Sequence, residues 1–259
     1  MDSLSSLLKD DRLLLGCCIM YPAPGIIELI GQEWDWIWLD AQHGQHDYES
    51  VLGCVRVCEI KGAHSVIRVP SHDYGAIGYA LDTNTGGVMV PMVNTAEQAQ
   101  KIVMAAKFPP LGSRSFGGRR PIDLIGRSYA HSANSEKILI AQIETEEGLA
   151  NVNQIAAVSG IDVLFFSPDD MAMQIGLPMD QKRENSLFHS GMKKLADAAL
   201  NAGKAAGTVT ANPELLELAL KLGYRLCVGS SDASILLQGS RQARKNLSSK
   251  LNDNIPRNK

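Results

Sequence analysis

The sequence has no hydrophobic stretch long enough to cross a membrane. Its longest segment without a charged residue, Leu13–Ile27, has 15 residues and contains two prolines, whereas a membrane-spanning helix needs ~20 consecutive apolar residues. The acidic N-terminus also lacks the basic region that opens a signal peptide. From these absences we predict a cytoplasmic protein without a membrane anchor.

An excess of positive charge is missing as well. The chain has 25 Lys and Arg against 28 Asp and Glu, which gives a net charge of −3 and a pI of about 6.1. Domains that bind nucleic acid are usually basic. We therefore expect no nucleic-acid partner.

The cysteines form no CxxC pair and are odd in number. Most of them stand in apolar runs, which is typical of buried thiols in a reducing compartment rather than of a disulfide framework or a zinc site. The five are Cys17, Cys18, Cys54, Cys58 and Cys227.

Eight short apolar runs recur along the 259 residues. Each run is nearly continuous rather than alternating, which is typical of strands buried on both faces. The runs are Leu14–Met20, Trp36–Leu39, Ser65–Val69, Gly87–Pro91, Ile138–Ile143, Val163–Phe166, Lys204–Val209 and Arg225–Val228.

Helix signals separate several of these runs. Thr95 and Gln98 fit a capping box that opens a helix over Thr95–Lys107. Asn212 before a proline opens a second helix, Pro213–Leu222. Eight such alternations predict an α/β fold, a single (β/α)8 TIM barrel over residues 1–259 with a C-terminal helical tail. A doubly wound sheet is the alternative, although no GxGxxG follows the first strand.

Polar residues follow four of the predicted strands at the end where a barrel carries its active site. A buried charged residue is costly unless it is paired or metal-bound, so a convergent site is expected. These residues are Asp40 and His43 after strand two, Arg68 in strand three, Gln142 and Glu144 at strand five, and Asp170 after strand six. The tryptophans Trp34, Trp36 and Trp38 are expected to serve packing.

The carboxylates Glu144 and Asp170, with Gln142 and water, would form an oxygen-rich site for a hard divalent ion. The alternative is that each carboxylate caps a following helix. A zinc pair of His43 and His46 lacks a third nitrogen or sulfur ligand at a neighbouring strand end. Imine chemistry is disfavoured because Lys137 and Lys204 stand at strand starts, the wrong end of the barrel.

Six segments, in this order, resemble the HpcH/HpaI family of metal-dependent (class II) pyruvate aldolases, a TIM barrel of the phosphoenolpyruvate/pyruvate-domain type. The segments are WDWIWLDAQHG, SVIRVP, GGVMVPMVNTAEQA, FPPLGSRSFG, AQIETEEGL and VLFFSPDDMAMQIG. The resemblance implies reversible cleavage of a 4-hydroxy-2-oxo acid to pyruvate (or hydroxypyruvate) and an aldehyde.

The same resemblance implies roles for individual residues. Glu144 and Asp170 would bind Mg²⁺, Mn²⁺ or Co²⁺. Arg68 would lie beside the keto oxygen, and His43 would be the acid/base, with Asp40 orienting its imidazole.

Further roles carried by the resemblance concern substrate binding and assembly. Gln142 would face metal-bound water or the keto acid, and the main-chain amides of Ser167 and Asp169 would hold the carboxylate. Asp82 would reach the site of a neighbouring subunit in a homo-trimer or homo-hexamer. The apolar residues Ile235, Leu236 and Leu237 would supply an oligomer surface, or else cover the barrel's own first helix.

Two other functions fit the same barrel. One is a lyase or synthase for an acyl-CoA or a longer diacid, because Arg114, Arg119 and Arg120 would suit the phosphates of CoA. The other is a barrel that binds a keto acid without catalysis, against which the full set of site residues argues.

Overall fold

Eight parallel strands close into a barrel in the order β1 to β8, each paired with the next and β8 paired with β1. This computed structural model describes residues 2–10, 12–178, 186–210 and 212–254. The predicted TIM barrel is confirmed, and the doubly wound sheet is wrong. The strands are β1 (Leu14–Ile19), β2 (Trp36–Asp40), β3 (His64–Arg68), β4 (Gly87–Val90), β5 (Ile138–Ile143), β6 (Val163–Phe166), β7 (Ala205–Val209) and β8 (Leu226–Ser231).

Helices surround the strands, and a short 3₁₀ turn (Gly31–Glu33) precedes β2. The helices are α1 (Leu4–Leu7), α2 (Pro24–Ile30), α3 (Tyr48–Lys61), α4 (Tyr74–Leu81), α5 (Ala96–Ala106), α6 (Arg119–Ile125), α7 (Tyr129–Glu136), α8 (Glu146–Ala150), α9 (Val152–Ala156), α10 (Pro168–Gln174), α11 (Ser186–Asn201), α12 (Pro213–Lys221) and α13 (Asp232–Asn254).

Both helix starts predicted from capping residues are confirmed, with Thr95 and Asn212 as the N-cap residues. The Thr95 hydroxyl accepts a hydrogen bond from the Gln98 amide at 3.2 Å, and the Asn212 side chain accepts one from the Leu215 amide at 2.8 Å. The Gln98 side chain, however, accepts from the main chain of Asn94 rather than from that of Thr95. The Gln98 side chain therefore binds the main chain one residue before Thr95, whereas in a capping box it would bind the N–H of Thr95 itself.

Two apolar layers stabilise the barrel. One fills the space between strands and helices, and the other fills the barrel interior with alternate strand residues such as Trp36, Ile140 and Phe165. Leu4 and Leu8 from the N-terminal segment join the interior layer and cover the amino end of the barrel. The opposite, carboxyl end is left for the polar residues.

The segment from Phe108 to Pro121 lies at the amino end of the barrel, between α5 and β5. Its three arginines are all engaged in ion pairs: Arg114 with Asp82, Arg119 with Asp123, and Arg120 with Glu59. Arg114 also stacks on the Phe108 ring at 4.7 Å. None of these arginines lines the cavity at the carboxyl ends of the strands, so the structure gives no support to the expected binding of CoA phosphates there.

All five cysteines are buried and unpaired, as the sequence predicted. Among the described residues, no helix is both long enough and apolar enough to span a bilayer.

Candidate active site

The carboxyl ends of the strands surround one cavity of ≈ 640 Å³. Asp40, His43, Arg68, Ser167 and Asp170, which come from the ends of β2, β3 and β6, all line it. The convergence predicted from the sequence is therefore found, at the end of the barrel where (β/α)8 enzymes carry their chemistry.

Arg68 is held rigidly at one side of this cavity. Its Nε and Nη2 donate to the two carboxylate oxygens of Asp40 at 2.9 and 2.6 Å, and its guanidinium stacks over the Trp38 ring at 4.6 Å. Both members of the ion pair are buried, with exposures of 6% and 1%. Three of the five guanidinium N–H groups are used, the third toward Gln142 at 3.5 Å, so two donors remain for a substrate oxygen.

Asp40 positions Arg68 and the following turn rather than the imidazole of His43. Burial alone would raise the pKa of Asp40, but the hydrogen bonds and charge of Arg68 hold that pKa below its ordinary value. One oxygen also accepts from the main-chain N–H groups of Gln42 and His43, at 3.1 and 3.3 Å. The His43 side chain is exposed at the rim of the cavity.

Gln142 links Arg68 to Glu144 instead of facing the substrate. It is fully buried, its Oε1 accepts from Arg68, and its Nε2 donates to Glu144 at 2.6 Å. The other oxygen of Glu144 accepts from the main-chain N–H of Met92 at 2.7 Å. Met92 has a φ of +57°, a strained value for a residue with a side chain, and such strain is concentrated at functional sites.

Glu144 and Asp170 are held close together despite their like charge. Burial, and next the charge of Asp170, raise the pKa of Glu144 to about 7. The hydroxyl of Ser167 donates to the other carboxylate, Asp170, at 2.6 Å. A buried carboxylate beside a second one is stabilised by a cation, so the pair has the chemistry of a metal site.

The donor set fits a hard divalent cation that keeps several waters. In the part of the chain that the structure describes, no group of three or more His, Cys, Asp and Glu side chains is placed to hold a metal. Two carboxylates with water and substrate oxygens suit Mg²⁺ or Mn²⁺, whereas zinc sites use three or four protein ligands. Of the histidines considered for zinc, His46 contacts the Ile19 carbonyl with Nε2 at 3.0 Å, away from the carboxylates.

Three predicted site residues have different surroundings from those expected. The main-chain N–H of Ser167 donates to the Ile143 carbonyl at 3.2 Å and is therefore not available to a substrate carboxylate. The hydroxyl of Ser167 donates to Asp170 instead. Asp169 is exposed on the first turn of α10 and lines the cavity. Asp82 ends α4 and binds Arg114 at 2.7 Å, away from the mouth of its own barrel.

Sequence reasoning missed two structural supports of the site. Trp38, expected to serve packing alone, forms the floor under Arg68. Asp232 is fully buried and accepts from the main-chain N–H groups of Met20 and Tyr21, at 3.0 and 3.1 Å. It thereby fixes the loop after β1 to the end of β8. The sequence signal that could have identified Asp232 is its position as an isolated acidic residue directly after the last strand.

A closed (β/α)8 barrel with a buried arginine, a rim histidine and two coupled carboxylates at the carboxyl ends of its strands has the arrangement of an enzyme active site. Comparison with known proteins gives the family. The sequence profile of the family "HpcH/HpaI aldolase/citrate lyase" matches residues 24–238.

Individual relatives agree with this profile. A 4-hydroxy-2-oxovalerate aldolase of Novosphingobium aromaticivorans is 35% identical over 242 residues, which cover 92% of each chain. A hydroxypyruvate/pyruvate aldolase of Roseobacter denitrificans is 30% identical, over 89% of this chain and 91% of the relative. A crystal structure of an HpcH/HpaI aldolase/citrate lyase family protein from Burkholderia cenocepacia superposes with a TM-score of 0.88 at 28% identity, covering 96% of this chain and all of that one.

The chain therefore belongs to the HpcH/HpaI aldolase/citrate lyase family. It is an aldolase-type carbon–carbon lyase, as the resemblance of its six motifs implied. The competing lyase or synthase acting on an acyl-CoA gains no support from the structure.

Proposed function

We propose that the enzyme is a divalent-metal-dependent aldolase that reversibly cleaves a 4-hydroxy-2-oxo acid to pyruvate, or hydroxypyruvate, and an aldehyde. The observation that carries this proposal is the coupled carboxylate pair, Glu144 and Asp170, beside Arg68. Asp170 and Arg68 line the cavity, and Gln142 joins the buried Glu144 to Arg68. Relatives with aldolase activity in their names support it.

Glu144 and Asp170 would hold Mg²⁺, Mn²⁺ or Co²⁺. A divalent metal held there would supply Lewis-acid stabilisation to the negative charge that develops on the substrate. Cleavage leaves an enolate whose negative charge grows on the keto oxygen. The fixed guanidinium of Arg68 offers two further N–H donors to that charge.

His43 is the base of the cleavage direction. It takes the proton of the 4-hydroxyl group as the C3–C4 bond breaks and the C4 carbon becomes the aldehyde carbonyl, and it returns a proton to that oxygen in the addition direction. The Asp40 carboxylate holds the main chain of His43 and so places the residue at the rim. Ser167 orients the Asp170 carboxylate through its hydroxyl.

Turnover of a panel of 4-hydroxy-2-oxo acids tests the proposal, with released pyruvate measured by a coupled lactate dehydrogenase assay. We expect cleavage with Mg²⁺ or Mn²⁺ and none after exhaustive treatment with EDTA. Undiminished cleavage by the chelated enzyme would refute metal dependence. No cleavage of any member, with metal present, would favour the non-catalytic barrel.

The His43→Ala variant is expected to lower kcat for cleavage about a hundredfold, the lower end of the usual range for general acid–base catalysis. Because His43 is exposed and lies apart from the coupled carboxylates, Mn²⁺ affinity should be unchanged. Steady-state kinetics and calorimetric titration of Mn²⁺ measure the two effects. Near-normal cleavage by the variant would remove His43 from the mechanism.

Metal affinity should rise with pH and then level off near pH 7. The Glu144 pKa is raised from 4.5 to about 7, so below that pH a proton competes with the metal. Affinity for Mn²⁺ is expected to grow by up to about tenfold per pH unit below 7.

A raised acid pKa also means that the folded state binds more protons than the unfolded state. The metal-free protein should therefore lose stability as pH rises from 4.5 through 7.

Calorimetric titrations of Mn²⁺ across this pH range check the prediction. A constant affinity between about pH 5 and pH 8 would contradict the assignment of the raised pKa to a metal ligand. For the stability prediction, the metal-free Glu144→Gln variant provides the control, because it has no proton to release at this position.

We propose that the chain assembles as a homo-trimer or homo-hexamer through α13. Ile235 packs on the barrel's own core, but Leu236 and Leu237 are about half exposed, at 52% and 51%. The described side chains from Leu236 to Leu247 are exposed, and a long helix with so little packing on its own chain is stabilised by a partner. Asp82, remote from its own mouth, would reach the mouth of a neighbour.

Light scattering should give about three or six times the 28.0 kDa chain mass. A Leu236→Glu, Leu237→Glu double variant should dissociate, because it places two charges in an apolar contact. Leu200→Glu, at an exposed position on α11, is the matched control and should keep the assembly. A monomeric wild-type chain would refute the assembly and leave Asp82 without a site role.

A cytoplasmic location remains our expectation, supported by the five unpaired thiols.

A further inference from the structure

The cavity extends well beyond the groups that bind the keto acid. From Arg68 and Asp170 it continues along the ends of β7 and β8 to the first two turns of α13. This second part is lined by Val209, Leu215 and Val228 and by five hydroxyl and amide side chains. These five are Asn212, Ser230, Ser231, Ser234 and Gln238.

An irregularity in β8 places Ser231 on this wall. The pairing of β1 with β8 shifts between Gly16 and Cys17: Gly16 pairs with Val228, whereas Cys17 pairs with Ser230. The extra residue is Gly229, and such a bulge re-aims the side chains that follow it. Ser231 is thereby paired with Cys18, which faces the barrel interior. A regular strand would have turned the next side chains to the other faces.

Several polar groups of this wall have hydrogen-bonding capacity left. The Ser231 hydroxyl donates to that of Ser234 at 3.1 Å, which leaves the Ser234 hydrogen for another acceptor. Asn212 uses its Oδ1 for the Leu215 amide and keeps its NH₂ group. In the described part of the chain, the side chains of Ser230 and Gln238 have no hydrogen-bond partner. These groups match hydroxyl groups of a ligand.

The charges of the cavity lie elsewhere. Among the described residues that line it, the cationic side chains are Arg68 and, when protonated, His43, both beside the keto-acid end. The carboxylates Asp169 and Asp170 stand on the α10 side. Within the cavity of one chain, an aldehyde that carries its own carboxylate would bring that charge against this wall without a cationic partner, and such burial is unfavourable.

We propose that this wall is the aldehyde subsite and that it selects a short, neutral hydroxyaldehyde. The proposal rests on the aldolase function proposed above. In the addition direction, the enolate carbon of pyruvate attacks the aldehyde carbonyl carbon and one C–C bond forms. The aldehyde oxygen takes a proton and becomes the 4-hydroxyl group, while the hydroxyl groups of the aldehyde bind Ser230, Ser234 and Gln238.

Three aldehydes test the selection with pyruvate and Mg²⁺: glyceraldehyde, propanal, which lacks hydroxyl groups, and succinate semialdehyde, which carries a carboxylate. We expect the highest kcat/KM for glyceraldehyde and the lowest for succinate semialdehyde. In Gln238→Leu the preference for glyceraldehyde over propanal should fall by about tenfold, the usual effect of losing a hydrogen bond. Ser230→Ala should lower the same preference.

Gln242→Leu is the matched control, because Gln242 lies one helical turn further along α13, outside the cavity, and donates to Asn246. It should keep the wild-type preference. An equal or higher kcat/KM for succinate semialdehyde, or an unchanged preference in both Gln238→Leu and Ser230→Ala, would overturn the proposal.

Exchange of pyruvate methyl protons with D₂O separates this failure from that of the aldolase function, because the exchange needs no aldehyde. Metal-dependent exchange together with the wrong aldehyde preference would refute the subsite alone. Absence of exchange would refute the aldolase function and the subsite with it.

Discussion

Replacing Arg68 with alanine is expected to lower kcat for cleavage by roughly 10²–10³. The guanidinium stands at the mouth with two N–H donors unused, and removing it takes away a fixed positive partner of the enolate oxygen. Exchange of pyruvate methyl protons should fall with cleavage, because both reactions pass through the same enolate. Steady-state kinetics and NMR measure the two rates.

The same substitution should also destabilise the protein. Asp40 is 1% exposed and would lose its partner, and an unpaired buried charge costs about 3–5 kcal/mol. The Asp40→Asn, Arg68→Ala double variant is the control, since it removes the stranded charge. It should recover stability in urea unfolding but not activity. Recovery of cleavage in the double variant would show that Arg68 acts on the fold alone.

Glu144→Gln is expected to abolish cleavage and to weaken Mn²⁺ binding beyond detection by electron paramagnetic resonance. The change removes one of the two carboxylates that would hold the metal. Asp170→Asn should have the same effect. Asp169→Asn is the matched control: it alters a neighbouring carboxylate on the same turn of α10 and should keep Mn²⁺ binding.

The stability of the Glu144→Gln variant distinguishes loss of the metal site from misfolding. A pKa of about 7 means that the folded protein disfavours the charged carboxylate. Without metal and above pH 7, the neutral amide should therefore leave the protein at least as stable as the wild type. Tight Mn²⁺ binding by Glu144→Gln would contradict the assignment of the ligands.

The barrel could be predicted from the sequence because its strands are buried on both faces. Runs such as Ile138–Ile143 and Val163–Phe166 are almost entirely apolar, and their observed bounds are identical to the predicted ones. The caps at Thr95 and Asn212 are equally local, since each depends on a side chain and an amide three residues away. Local signals of this kind need no knowledge of the tertiary structure.

The pairing of site residues was harder to predict because it depends on register. Asp40 and Arg68 are 28 residues apart and become neighbours only through the alignment of β2 with β3. The family resemblance pointed instead to Asp40 and the imidazole of His43. The Asp82–Arg114 pair joins the end of α4 to a loop 32 residues later, which no sequence period indicates.

The aldehyde subsite was not predictable for a related reason. A bulge at Gly229 leaves no distinct pattern in a strand that already contains Gly, Ser and Val. Only the shifted pairing of β1 with β8 shows that Ser231 lies opposite Cys18 at the cavity.

The central claim is that Glu144 and Asp170 hold a divalent metal that makes pyruvate enolisation possible beside Arg68. Exchange of pyruvate methyl protons with D₂O, followed by NMR in enzyme stripped with EDTA and then supplied with Mg²⁺, tests it most directly. We predict no enzyme-dependent exchange in the stripped enzyme and rapid exchange once Mg²⁺ is added. Equal exchange rates before and after addition of the metal would contradict the claim.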